Sequence, residues 1–207
     1  YNMKQVQITE KTELLDENGS LVKPGYCKTN LFVYRRSAIK ANPLRIKEWD
    51  FYQLSNRRYT MQMTVADISI GGGGCFTLID RLTGERIEKL NLSPLTMGGL
   101  GLSENAERPH VLRNRGKYFN LQICTQKHTR CIKFRGFGSK GEPVEVDVMA
   151  RIPEGLESLV MAVPFEEKGH FYLNQKINSM PAEGYVSAGT KHIEFDPQSD
   201  FLILDWG

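Results

Sequence analysis

The 207-residue sequence has no long apolar run, few cysteines and little excess charge, and each absence excludes a class of protein. No stretch approaches the roughly 20 apolar residues that cross a membrane as a helix. The net charge of +3 is small, and the arginines are too scattered to form the basic stripe that binds nucleic acid. We therefore expect neither a membrane span nor a nucleic-acid partner.

The four cysteines stand in unrelated contexts without a CxxC pair, which is typical of reduced thiols in a cytoplasmic protein. The first five residues lack the charged-then-apolar pattern of a secretory signal, which favours the same location. The spacing of Cys124, His128 and Cys131 invites a metal site, but residues 125–130 are typical of a hairpin loop and no fourth ligand follows. We predict no metal and no cofactor.

Short strand signals separated by turn residues run along the chain, and no long helical period interrupts them. Residues 59–65 alternate, with Met61, Met63 and Val65 on one face, and residues 144–150 repeat the pattern. Further strands are predicted at residues 31–34, 49–55, 75–79, 118–124, 131–134, 158–163, 171–174, 185–187, 192–195 and 201–204. The pattern predicts an all-β fold, either an antiparallel β-barrel or a strongly curved β-sandwich.

Three local features refine this prediction. After Asp67 the apolar phase moves by one residue, which predicts a bulge or a barrel bend. Four consecutive glycines at 71–74 favour a turn or barrel corner over a phosphate cradle, because no Gly-Lys-Ser/Thr follows them. Only residues 36–41 are suited to a helical turn, which Pro43 ends.

Carboxylates are the candidate reactive groups. Glu48 and Asp50 flank Trp49 and so share one face of a strand, where they serve either acid–base chemistry or ordinary ion pairs with nearby basic residues. Asp67 lies in an apolar strand, where an unpaired charge is costly, so it faces solvent or meets a basic partner. Asp205 precedes Trp206 at the end of the last strand.

That last strand ends on a tryptophan with no capping or tail sequence after it. We expect it to leave an unpaired apolar edge near residues 201–206. On this ground we expect residues 1–207 to be a single β-domain, the N-terminal half of a longer two-domain protein. The missing half, or a second copy of the chain, is the partner that would cover the edge.

Several motifs then bring a family into view. They comprise residues 15–21 (LDENGSL), Gly25-Tyr26, residues 34–36 (YRR), residues 45–52 (RIKEWDFY), residues 163–165 (VPF), residues 174–178 (NQKIN), residues 195–197 (FDP) and residues 204–207 (LDWG). In this order the motifs resemble the bacterial domain-of-unknown-function family 2804. More distantly, the chain is similar to carotenoid hydratases and related proteins with two lipocalin-like domains.

The resemblance implies a lipocalin-like barrel and two alternative functions. The first is a module that binds a lipophilic small molecule in the barrel mouth. The second is a hydratase- or cyclase-type enzyme acting on an isoprenoid-like substrate, with Asp205 as the acid and Glu48 or Asp67 in support. Ligand contacts are expected from Trp206, Trp49, Tyr52, Asn174 and Lys176. The Asp-Trp-Gly run matches a hydratase element, although its spacing differs and no histidine precedes the tryptophan.

Overall fold

The computed structural model describes residues 6–207, so the prediction about the first five residues lies outside the described part of the chain. The described residues form fifteen strands and no α-helix. The strands are β1 (Thr12–Glu13), β2 (Gly25–Cys27), β3 (Phe32–Val33), β4 (Glu48–Ser55), β5 (Tyr59–Asp67), β6 (Gly71–Asp80), β7 (Arg86–Pro94), β8 (His110–Gly116), β9 (Phe119–Gln126), β10 (Thr129–Phe137), β11 (Pro143–Arg151), β12 (Leu159–Pro164), β13 (Phe171–Ala188), β14 (Lys191–Phe195) and β15 (Phe201–Trp206).

Ten of these strands form a nearly closed antiparallel barrel, in the order β7-β6-β5-β4-β15-β13-β11-β10-β9-β8. The first and last strands of this path, β7 and β8, meet at a seam, where Asn91 Nδ2 donates a hydrogen bond of 2.7 Å to Asn114 Oδ1. Strands β12 and β14 pair with β13, and β2 pairs with β12. The predicted all-β barrel is confirmed.

Alternation along the strands fills the barrel with apolar side chains, because successive strand residues point to opposite faces of a sheet. Met61 and Met63 are fully buried, as their spacing predicts. In the middle of the barrel the ring of Phe134 stacks on Phe76 with centroids 5.0 Å apart, and it meets the edge of Phe119 at 4.9 Å. Side chains therefore occupy the interior in which a lipocalin-like ligand was expected.

The four glycines lie within strand β6, so of the two predicted alternatives, a turn or a barrel corner, the turn is wrong. The turn comes just before them, at Ser69, whose φ is 64°. This turn, rather than a bulge, shifts the apolar phase after Asp67. Neighbouring strands require the glycines: a Cβ atom on Gly73 would collide with the carbonyl oxygen of Asn91, and one on Gly74 would come within 2.6 Å of the Phe119 ring.

Strand β13 is a single strand of 18 residues, although the sequence predicts two separate ones at its ends. Its pairing with β15 shifts between Ile177 and Met180, where Ser179 adopts a φ of 60°. β13 pairs with β12 before this bulge, with β15 on both sides of it, and with β11 and β14 after it. A bulge of this kind bends a strand and so turns the corner of the barrel.

Strand β15 is paired along both sides, with β13 on one and β4 on the other. The prediction that residues 201–206 form an unpaired edge is therefore wrong. The apolar pattern of a strand does not show which strands flank it, and β4 comes from a distant part of the sequence. Strands β7 and β8 were not predicted at all, since β7 is exposed over most of its length.

One end of the barrel is covered by residues 95–109, which we call the strap. Buried side chains of the barrel donate hydrogen bonds to it. Arg130 Nη2 reaches Ala106 O at 2.6 Å, Trp206 Nε1 reaches Ser103 O at 3.0 Å, and Gln175 Nε2 reaches a Glu107 carboxylate oxygen at 2.6 Å.

Two 3₁₀ turns, Arg36–Ala38 and Pro43–Arg45, precede β4. The first lies within the predicted helical turn of residues 36–41, and Pro43 begins the second.

The pairing of β9 and β10 predicts a redox-sensitive thiol pair. Cys124 and Cys131 are directly opposite each other and half-buried, and the Cβ atoms of such pairs lie about 4.5–5.5 Å apart, near the reach of a disulfide. We expect diamide to take two electrons and two protons from the two thiols and join them. The mass then falls by two hydrogens and two fewer thiols react with iodoacetamide. Cys75→Ser should retain the reaction and Cys131→Ser should lose it; an unchanged number of reactive thiols in the oxidised wild type would contradict the prediction.

Candidate functional site on the outer face of the barrel

Four of the predicted site residues meet on the outer face of the barrel, around the carboxylate of Asp205. Its Oδ1 accepts hydrogen bonds from Trp49 Nε1 at 2.9 Å and from Asn174 Nδ2 at 2.7 Å. Its Oδ2 forms an ion pair with the Lys176 ammonium. The Trp49 indole also stacks on the Tyr172 ring, with centroids 6.0 Å apart. We call these five residues the Asp205 cluster.

The pKa of Asp205 follows from these contacts. Partial burial works to raise it, but the bonds from Lys176, Trp49 and Asn174 together prevail and hold the pKa below its usual range. Asp205 is therefore a carboxylate near neutral pH, whereas protonation of an alkene requires a carboxylic acid. The role of Asp205 as a general acid stays a prediction that this geometry does not favour.

Trp206 and Glu48 lie on the inner side of the sheet, at the strap end. The Trp206 indole meets the Tyr34 ring edge-on, with centroids 6.3 Å apart. Glu48 accepts a hydrogen bond of 2.6 Å from the Tyr34 hydroxyl and forms an ion pair with Arg36. Burial, together with the Glu48 charge, raises the pKa of Tyr34, so its hydroxyl stays protonated. These contacts connect the segment before β4 to the barrel.

Asp67 is fully buried and organises the start of the strap. Its carboxylate accepts hydrogen bonds from Ser69 N at 2.9 Å, Thr96 Oγ1 at 2.9 Å and Gly98 N at 2.8 Å. It lies opposite Glu48 in the pairing of β4 and β5, and the sheet separates both carboxylates from Asp205. Their supporting roles in catalysis stay predictions, and this separation does not favour them.

Inside the barrel the structure places two buried polar residues, Asp50 and Arg130, of which the sequence analysis assigned only Asp50. Arg130 is fully buried and donates to the carbonyl oxygens of Gln126 and Thr129, at 2.9 and 3.0 Å, as well as to the strap. Burial raises the pKa of Asp50 to about 7, against the opposing charge of Arg130. Tyr52, predicted to contact ligand, is buried beside them, and burial raises the pKa of its hydroxyl. The sequence contains a signal for the burial of Asp50: it alternates with Tyr52 and Leu54 and so lies on the same, apolar face of the strand.

An open groove of about 450 Å³ lies on the outer face of β5, β6 and β7. Its floor is the run of glycines 71–74, which leaves the sheet without side chains there. Thr64 and Ala66 line one side and Leu92 and Pro94 the other, and no charged residue contributes to the lining. The groove can therefore accept an apolar body.

The groove and the Asp205 cluster belong to one continuous surface. Directly opposite residues share a face of a sheet, and pairing joins Gly73 to Ala66 and Ala66 to Trp49. The next row runs through Thr64, Phe51, Asp205 and Lys176. Strands lie about 4.8 Å apart, so Lys176 is about 19 Å from the β6 floor. We call this surface, from β13 to β7, the apolar face.

The opposite half of the barrel presents a different outer surface. Its strands carry cross-strand ion pairs, with Lys133 Nζ 2.9 Å from an Asp147 oxygen and Arg135 Nη2 2.9 Å from a Glu145 oxygen. Such pairs are typical of a sheet that faces water. On the apolar face, by contrast, Leu90 and Leu92 of β7 are 57% and 68% exposed.

Within residues 6–207, no three His, Cys, Asp or Glu side chains form a group that could hold a metal ion. Helices long and apolar enough to cross a membrane are likewise not found in this part of the chain. The expectations of no metal and no cofactor stay predictions, as do those of a cytoplasmic location and of no nucleic-acid partner.

The fold and the groove together define an all-β protein, a nearly closed antiparallel barrel with an open apolar groove on its outer surface. The model of a protein family described as a domain of unknown function, DUF2804, matches residues 5–207. The chain belongs to this family, and the resemblance seen in its motifs is confirmed. No curated protein and no solved structure matches it.

Proposed function

We propose that this chain is a module that binds a lipophilic small molecule, and that the molecule lies in the groove over the glycine floor. The observation that carries the proposal is the groove itself. Its volume of about 450 Å³ lies within the range of about 300–1,000 Å³ typical of small-molecule sites. Its lining is apolar, and the hydroxyls of Thr64 and Ser93 are its main polar groups.

The glycine floor supports a ligand with a flat apolar body. A strand without side chains exposes a nearly planar surface, on which a ring system or an extended chain contacts backbone atoms directly. A charged ligand is disfavoured because the lining offers no charge to pair with it.

The proposal predicts that filling the groove abolishes binding. In Ala66→Phe the new ring covers the neighbouring glycines, a contact that stabilises sheets and so preserves the fold. We expect the affinity for the apolar dye N-phenyl-1-naphthylamine, followed by its fluorescence, to fall at least tenfold. Gln122→Phe, which places the same ring on the charged half of the barrel, is the control and should bind as the wild type does.

Wild-type affinity in Ala66→Phe, or no dye binding by the wild-type protein, would overturn the proposal. Organic extraction of the purified protein followed by mass spectrometry then identifies the natural ligand. A lipid or isoprenoid released by the wild type and missing from Ala66→Phe is the expected result.

A further inference from the structure

The groove has a floor and two sides but no roof, and the apolar face around it is exposed. Small-molecule sites usually bury about 70–90% of the ligand surface, and a ligand lying on an open floor leaves its outer surface in water. Ile70 and Leu95, which stand beside the groove, are 58% and 69% exposed. Exposed apolar side chains clustered around a groove mark a surface that meets another molecule.

We propose that a second copy of this chain provides the roof, so that ligand binding joins two chains through their apolar faces. This inference rests on the proposed function and assigns the site to a two-fold interface. We call Ile70, Leu90 and Leu95 the rim. When two faces meet on their rims, the glycine floors stay apart and the two grooves enclose about 900 Å³, near the upper end of the usual range.

Charge favours a copy of the same chain as the occupant. A two-fold contact brings the same patch of each chain together, so a patch with net charge would repel itself. The groove lining and the rim contain no charged residue. Among the described residues of this face, Lys176 and Asp205 form an ion pair that is neutral as a pair, and the exposed Arg86 and Glu88 of β7 carry opposite charges. The charged half of the barrel would instead place its ion pairs against one another.

The size of the face indicates that the contact depends on ligand. From β13 to β7 it spans five strand spacings, about 24 Å, and five residues along each strand add about 17 Å. The flat footprint is then about 410 Å² per chain, well below the roughly 800 Å² per partner of a standard interface. The protein alone should therefore remain monomeric, and a ligand held between the two floors supplies the missing apolar contact.

Sedimentation velocity with and without saturating N-phenyl-1-naphthylamine tests the inference. We expect wild-type monomer without the dye, dimer with it, and one shared midpoint for fluorescence and dimer formation. Leu90→Glu places a charge on the rim, at a residue that does not line the groove. We expect this variant to stay monomeric in the presence of the dye and to bind the dye at least tenfold more weakly. Val111→Glu changes an exposed apolar residue on β8, on the other half of the barrel, and should behave as the wild type does.

The other outcomes separate the two proposals. Dye bound by a wild-type monomer with unchanged affinity in Leu90→Glu would overturn the shared site and leave the groove as a ligand site. A dimer that forms without dye and persists in Leu90→Glu would also overturn the shared site. No dye binding in any variant would instead remove the proposed function.

Discussion

Asp50→Asn is expected to raise the free energy of unfolding at pH 8 by about 4 kcal/mol. Burial raises the pKa of Asp50 in the folded protein from its ordinary value of 3.8 to about 7. Each tenfold change in an ionisation constant corresponds to about 1.4 kcal/mol. The folded protein therefore loses stability as pH rises from near 4 to near 7, and above that range the loss is complete. Asparagine keeps the shape of the side chain and removes the ionisation.

Urea unfolding of the wild type and the variant between pH 4 and pH 8 measures the effect. The difference between them should be small at pH 4 and should grow until about pH 7. Asp147→Asn is the control: its carboxylate pairs with Lys133 at the surface, and such pairs contribute about 1 kcal/mol or less. A stability difference for Asp50→Asn that does not change with pH would contradict the account.

Much of the barrel could be predicted from the sequence because its strands alternate. Met61, Met63 and Val65 repeat every second residue, and this pattern identifies a half-buried strand without knowledge of its neighbours. Strand β7 is not predicted because it lacks such an alternating apolar pattern. It lies at the seam with its outer face exposed, so Leu90 and Leu92 alternate with no consistently apolar inner face.

The candidate site was predicted less well because the face on which a residue lies depends on distant partners. Asp205 and Trp206 are adjacent in sequence, yet one faces outward to Trp49 and Lys176 while the other faces inward to the strap. The glycines at 71–74 predict either a turn or a barrel corner, because the composition of a turn and that of a close-packed strand are alike. Only the carbonyl oxygen of Asn91 and the ring of Phe119 distinguish the two, and both come from other strands.

The same dependence explains why Asp67 and Trp206, which the sequence predicts at a reactive or ligand-binding site, have structural contacts here, as do the buried Gln175 and Arg130. Asp67, Trp206 and Gln175 each contact the strap or the turn beside it, and Arg130 holds the strap from inside the barrel. A buried polar group must find a partner, and the strap's backbone provides those partners. The residue types of a catalytic site and of a strap anchor are therefore the same.

Asp67→Ala should lower the free energy of unfolding by about 3 to 5 kcal/mol. The substitution removes three hydrogen bonds to a buried carboxylate, each of which contributes about 1.5 to 3 kcal/mol. It also removes the cost of burying that carboxylate, which offsets part of the loss. It also leaves the amides of Ser69 and Gly98 without an acceptor. Asp16 accepts two backbone N–H groups at an exposed turn, so Asp16→Ala is the control and should cost about 1 kcal/mol or less.

The Asp67→Asn variant tests the contact between Asp67 and the strap separately from the bond to Ser69. The amide keeps Oδ1 as the acceptor for Ser69 N and Thr96 Oγ1, and it loses the Oδ2 acceptor of Gly98 N. We expect a smaller loss of stability than in Asp67→Ala, together with faster hydrogen exchange confined to the strap, measured by mass spectrometry on peptides covering residues 95–109. If Asp67 served only as a catalytic carboxylate, the asparagine variant would keep wild-type stability and wild-type exchange. Unchanged exchange in the strap would therefore show that Asp67 does not anchor it.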